Sequence, residues 1–175
     1  MTNQQSPNIS LDLAVLTISD SRTEETDTSG RYLAECIQSA GHSLAGKKII
    51  PDDVYKIRAV VSQWISDESV NGIIITGGTG FTNRDSTPEA VKVLFDKEVL
   101  GFGEMFRQLS YDDIGNSTIQ SRSLAGLANN TIIFCLPGSN GACRLGWEKL
   151  IKDQLDSNHK PCNFAELIIK KSQSH

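Results

Sequence analysis

Two aspartates and a cluster of glycines carry the densest chemistry in this sequence. Asp85 lies in "GIIITGGTGFTNRDSTPEAV" (72–91), just past the turn Thr76-Gly77-Gly78-Thr79-Gly80. Glycines let a backbone take positive φ and approach a ligand closely, so successive N–H groups can converge on one anion. Thr76 and Thr79 add hydroxyl donors. The turn is neither a Walker A loop, since no Gly-Lys-Ser/Thr follows, nor a spaced-glycine dinucleotide fingerprint. It could also be a tight strand-to-helix turn with no ligand.

A helix start lies directly beyond Asp85. Thr87 fits an N-cap with Pro88 at N1, and a Ser86-to-Glu89 capping box fits as well. Either start favours anions through the helix dipole. A phosphate beside Asp85 repels it unless a cation intervenes, and Mg²⁺, bound by one or two carboxylates plus phosphate oxygens, is the natural choice. Asp52, in "IPDD", offers the second carboxylate. Taken singly, Asp85 reads as a pre-cap carboxylate and Asp52 as part of a turn before a helix that Asp53 caps. Taken together, with a glycine nest between them, they read as a site.

Such a site needs elements that bring these residues to one edge. Short apolar, β-branched runs at "LDLAVLTIS" (11–19), "KKIIP" (47–51), "GIIIT" (72–76) and "TIIFCLP" (131–137) predict strands buried on both faces, as in a parallel sheet. Helical periodicity fills the gaps. "DTSGRYLAECIQSAG" predicts a helix stopped by Gly41, and "DVYKIRAVVSQWI" one capped by Asp53. "PEAVKVLFDKEV" and "GFGEMFRQLSYDDIG" predict two helices separated by Gly101 and Gly103. "SNGACRLGWEKLIKDQLDS" predicts a long helix capped by Ser139 or Asn140. The segment 115–130 is ambiguous in pattern and could be irregular structure followed by a short helix. One more short element is expected after Lys160.

This alternation implies right-handed βαβ units in a doubly wound α/β sheet. Ligands of such sheets bind at the carboxyl ends of the strands. The strands end at Ser19-Asp20, at Pro51-Asp52-Asp53, at the glycine turn and at Pro137-Gly138-Ser139, so four polar turns should share one edge. Arg122, in "QSRS", suits phosphate recognition, and its alternative reading is an exposed loop arginine. Ser139 is in no G-x-S-x-G elbow and has no histidine at another strand end to serve as its base. Cys143, inside a helix, is expected to pack.

The bulk properties exclude other classes. At 175 residues, with 38% hydrophobic and 22% charged residues, the chain fits one domain: 11–165, with tails at 1–10 and 166–175. A formal net charge of −4 with interspersed signs argues against nucleic-acid binding. No apolar run approaches the roughly 20 residues of a membrane span. The first residues lack a secretory signal pattern, and the four cysteines and three histidines show no zinc spacing. A cytoplasmic, reduced protein is expected.

Beyond these readings, "LTISD", "DTSG", "IPDD", "TGGTG…RDSTPEA", "GFGEMFRQLS", "SRSLAG" and "LPGS" resemble the molybdenum-cofactor biosynthesis family of MoaB, MogA and the molybdopterin-binding domain of gephyrin. The resemblance runs from about Leu11 to Phe164, and "KPCNF" and "GWEKLI" look most like the MoaB branch. It implies a three-layer α/β/α fold with a mostly parallel central sheet, binding molybdopterin and ATP. The implied reaction is Mg-ATP-dependent adenylylation of molybdopterin with release of pyrophosphate, which activates the carrier for molybdate or tungstate insertion. By this resemblance the acidic active-site positions fall on Asp52 and Asp85, and the glycine turn on Gly77, Gly78, Thr79 and Gly80. The hydroxyls fall on Ser121 and Ser123, and the last phosphate-contacting turn on Pro137-Gly138-Ser139. It further implies a homotrimer or homohexamer and partners among other molybdenum-cofactor biosynthesis proteins. The alternative within the family is an oligomeric pterin carrier or scaffold without turnover.

Overall fold

A computed structural model of the chain describes residues 7–172. Its elements run β1 (Asp12–Ile18), α1 (Thr28–Ser39), β2 (Ser43–Ile50), α2 (Val54–Ser66), β3 (Gly72–Thr76), α3 (Thr87–Val91), β4 (Lys97–Glu98) and α4 (Leu100–Ile114). They continue with β5 (Leu124–Ala128), β6 (Thr131–Leu136), α5 (Asn140–Gly146), α6 (Lys152–Leu155) and α7 (Phe164–Ser172). A π-helical turn, Trp147–Ile151, joins α5 to α6. The two therefore form the one long helix expected, with Ser139 as its N-cap.

The sheet order is β2-β1-β3-β6-β5-β4. β2, β1, β3 and β6 are mutually parallel, while β5 runs antiparallel to β6 and to β4. The fold is therefore the three-layer α/β/α arrangement with a mostly parallel sheet. Strand residues alternate between two cores. Leu13, Val15, Ile74, Ile132 and Phe134 pack with α1, α4 and the long C-terminal helix. Leu16, Ile73, Ile75 and Ile133 pack with Ile57, Val61 and Trp64 of α2. Because every inner strand is covered on both faces, its sequence is continuously apolar.

The chain leaves β1 toward β2 on one side and leaves β3 toward β6 on the other. The carboxyl ends of β1 and β3 therefore flank a topological switch point, where such sheets open a crevice. The helix stops follow local rules. His42 N–H donates to the Ile37 carbonyl (3.1 Å) and Gly41 N–H to the Gln38 carbonyl (3.0 Å), closing α1 with Gly41 at φ +85°.

Four expectations need correction. Residues 115–130 contain no α-helix: a 3-10 turn, Gly115–Gln120, leads into β5. β5 is poor in β-branched residues because Gly126 lies against the Phe95 ring, where any Cβ would collide. Asn129 and Asn130, both at positive φ, make its two-residue hairpin to β6. The helix after Pro88 ends at Val91 and a 3-10 turn, because the chain must reach β4. Gly101 and Gly103 lie inside α4 rather than between helices. The folded body also continues beyond 165, since Ile168 of α7 is buried. At the other end residues 1–6 lie outside the described residues, and Asn8 and Ile9 are tied to Ser157.

Candidate active site at the strand ends

A cavity of about 520 Å³ opens at the switch point. Its floor is the glycine turn. Gly77 (φ +102°) and Gly78 (φ +65°) adopt backbone that side chains disfavour. A Cβ on Gly77 would strike the Ile18 carbonyl, and one on Gly78 would strike the carboxylate of Asp52 and the hydroxyl of Thr87. Thr87 holds the turn from behind, its hydroxyl donating to the Gly77 carbonyl (2.8 Å) and its N–H to the Gly78 carbonyl (2.9 Å). Among the described residues the N–H groups of Gly78 and Thr79 donate to no protein acceptor. The turn is thus a donor surface held open toward the cavity.

The opposite wall is Pro137-Gly138-Ser139 at the end of β6. The Ser139 hydroxyl accepts from Ala142 N–H (3.2 Å), so α5 begins at the cavity and adds its positive dipole end. The Ser29 hydroxyl, near the start of α1, donates to the Gly138 carbonyl (2.9 Å) and to Asn140 Oδ1 (2.7 Å), fixing this turn against α1. Ser19 and Ser121 complete the rim.

Asp85 lines the cavity. Its Oδ2 accepts from Thr82 N–H (2.9 Å) and the Thr82 hydroxyl (2.6 Å), and these bonds hold its pKa below the ordinary carboxylate value. Asp52 is buried behind Gly78. Its Oδ1 accepts from the Ser86 hydroxyl and from Ser86 N–H (3.1 Å), while Oδ2 lies against Gly78. Burial pushes the Asp52 pKa up, the Ser86 bonds oppose this, and the charges of Asp85 and Asp20 add to it. The two carboxylates thus sense each other across the glycine turn, with opposite shifts. Among the described residues no three metal-binding side chains cluster. Asp85 at the cavity wall could still serve a Mg²⁺ ion that takes its other ligands from phosphates and water, with Asp52 behind the turn, outside the cavity lining, as the second carboxylate.

Several expected residues lie elsewhere, with other tasks. Asp20 does not line the cavity. It holds Arg84 through two contacts of 3.0 and 2.6 Å and accepts from Asp52 N–H (3.2 Å), fastening the 81–86 loop to β1. Arg122 faces the back of that loop. It donates to the carbonyls of Thr79 (3.2 Å), Gly80 and Asp85 (3.2 Å), pairs with Glu89 and covers the Phe81 ring. Arg122 is therefore neither a bare loop arginine nor aimed into the main cavity. Thr87 braces the turn, Pro88 and Ser123 border a neighbouring concavity, and neither proposed cap of α3 forms: Ser86 is the N-cap without a side-chain cap bond.

The sequence reading also missed contributors. Thr17, Ile18 and Asp27 line the floor, and Arg22 and Ser29 the α1 side. Asp27 is fully buried, accepting from Thr17 (2.9 Å) and Gly30 N–H (2.9 Å), with Lys47 Nζ at 3.1 Å. Its signal was present in "DTSG", an N-cap soon after a strand end. Ile114 at the end of α4 and Ser117 and Gln120 of the 3-10 turn also line the cavity, in a segment whose pattern gave no signal.

The family described as "Probable molybdopterin binding domain" matches residues 14–157. The chain belongs to this family. The molybdopterin-binding-domain match spans every parallel strand except the first two residues of β1, and it includes all four strand-end turns. Molybdenum cofactor biosynthesis protein B of Escherichia coli strain K12 is 54% identical over 152 residues, covering 87% of this chain and 89% of that protein. The protein of the same name from Bacillus subtilis strain 168 is 42% identical over 153 residues, covering 87% and 89%. A crystal structure of a molybdenum cofactor biosynthesis protein B superposes with TM-score 0.86 at 40% identity, covering 97% of this chain and 99% of that one. The tungsten cofactor synthesizing protein MoaB from Pyrococcus furiosus gives TM-score 0.77 at 32% identity, covering 94% and 98%.

Proposed function

We propose that this protein acts in molybdenum cofactor biosynthesis as a molybdopterin adenylyltransferase. Its membership of the molybdopterin-binding-domain family and the names of its relatives support the pathway. The observation that carries the chemistry is the cavity itself, where a glycine turn with free donors faces a helix start and one carboxylate, with a second carboxylate directly behind.

In this reading the terminal phosphate of molybdopterin attacks the α-phosphorus of ATP. A new P–O bond joins AMP to the pterin phosphate, and the bond to the β-phosphate breaks with its electrons leaving on pyrophosphate. Such transfer needs alignment and charge neutralisation rather than a protein nucleophile. The N–H groups of Gly78 and Thr79 and the start of α5 stabilise the oxygens gaining charge. Mg²⁺ would be held by Asp85 and Asp52 and would supply neutralisation between the phosphates. Arg122 and Thr87 keep the turn rigid, so the donors need not reorganise during the reaction. The expected context is a cytoplasmic homotrimer or homohexamer working beside other cofactor-biosynthesis proteins.

The test is AMP transfer by Asp85→Asn and Asp52→Asn at full substrate and Mg²⁺. Each variant should lose at least about two orders of magnitude in rate while staying folded, in the range typical of lost transition-state charge stabilisation. Wild-type rates in either would remove the paired carboxylates from the mechanism.

A further inference from the structure

A second concavity, of about 280 Å³, lies on the other side of the residue 121–123 turn from the main cavity. Its lining includes Lys92, Arg107 and Arg122 against a single carboxylate, Glu98. Three minus one leaves two net positive charges, in a chain whose formal net charge is −4. Two of the cations are already answered: Lys92 pairs with Glu98 at 3.1 Å and Arg122 with Glu89.

Arg107 is different. Among the described residues its guanidinium makes one hydrogen bond, a long contact of 3.5 Å from Nη1 to the Ser121 carbonyl, and no carboxylate pairs with it. A partly buried arginine with no carboxylate partner leaves guanidinium donors for an anion to take. Its position is also built. A Cβ on Gly103, one turn earlier on α4, would sit 3.1 and 3.2 Å from the two terminal nitrogens of Arg107 and 2.6 Å from the Ser123 carbonyl. The bare glycine lets the guanidinium lie along the helix and lets the start of β5 approach it. The hydroxyls of Ser121 and Ser123 are hydrogen-bonded to each other at 3.1 Å, so the pair offers one further neutral donor.

We propose that this concavity is a second oxyanion subsite, taking a phosphate group or pyrophosphate on Arg107 with the Ser121–Ser123 hydroxyl pair as its neutral donor. Ser121 borders both cavities, so an anion here is a direct neighbour of a ligand on the glycine turn. The subsite stands on binding alone and does not require the adenylyl transfer proposed above.

The test is an amide NMR titration of the full chain with inorganic pyrophosphate, and in parallel with inorganic phosphate, without pterin or ATP. Saturable shifts at Gly103, Arg107 and Ser123 support the subsite. Arg107→Gln should then weaken the affinity read at those signals about tenfold or more, and Arg107→Lys should lie between. Shifts confined to Gly78, Gly80 and Ser139, no shifts at all, or unchanged affinity in Arg107→Gln would each overturn the proposal. The wild-type titration decides even if a variant fails to fold. Binding here without adenylyl transfer would count against the proposed function and not against the subsite.

Discussion

Asp52 and Asp85 have the same side chain and opposite environments. Asp85 is held ionised by the bonds from Thr82, whereas Asp52 is pushed toward its neutral form by burial and by two acidic neighbours. For Asp52 the folded-state pKa lies above the ordinary value of 3.8. Its contribution to stability is therefore present in acid and is lost as pH rises from that value through the raised one. Asp52→Asn resembles the protonated form and can keep both bonds from Ser86. Its melting temperature at neutral pH should match or exceed that of the wild type, even as activity is lost, and a clear drop in melting temperature would contradict this assignment. The same shift predicts that Mg²⁺ affinity falls as pH drops through the raised Asp52 pKa, measured by calorimetry. Asp85 has the opposite sign: its contribution is present above the ordinary value and disappears as pH falls through its lowered pKa.

At the scale of elements, the glycine turn is shaped from behind by Thr87, Asp52 and Arg122 and faces the cavity from the front. Gly78→Ala should cost more than about 1 kcal/mol in chemical unfolding, because φ is positive and the new methyl meets Asp52 and Thr87. Unchanged stability would mean that the turn relaxes freely. The chain's own pattern made this element legible: "GIIIT" ends where β3 ends, and the positive-φ glycines follow at once. β1, β3 and β6 were legible for the same reason, since burial on both faces leaves a continuous apolar run, whereas the edge strand β2, none of whose residues is buried, showed only its last part, KKII. β5 was not, because "LAGLA" meets its neighbours through small residues and the Phe95 ring, a fit that only tertiary packing shows. Arg122 and Asp20 were picked out for phosphate and carboxylate chemistry, yet their charges are spent on the loop. Side-chain type alone does not reveal which way a charge points. Asp27 was passed over because an N-cap aspartate looks alike whether or not a cavity lies beside it.

For the whole molecule, the apolar side chains left uncovered are informative. Tyr111 of α4 is 56% exposed and the nearby Ile119 76% exposed, and neither lines either cavity. That fits the proposed homo-oligomer, since assembly would cover such a face. Light scattering on the purified chain should give three or six times the 19.1 kDa monomer mass, and a monomer at micromolar concentration would contradict it. The cavity, the two carboxylates and the free donors all lie within one chain, so the chemistry proposed here requires no side chain from a neighbour.

The most direct test of the central claim, that two phosphate groups meet over the glycine turn, is mass spectrometry of a single turnover. The protein is mixed with molybdopterin, ATP and Mg²⁺ and the pterin products are analysed. The expected result is adenylylated molybdopterin with one pyrophosphate released per AMP transferred. Molybdopterin retained by the protein and recovered unmodified, with no pyrophosphate formed, would contradict it and leave a pterin carrier in its place.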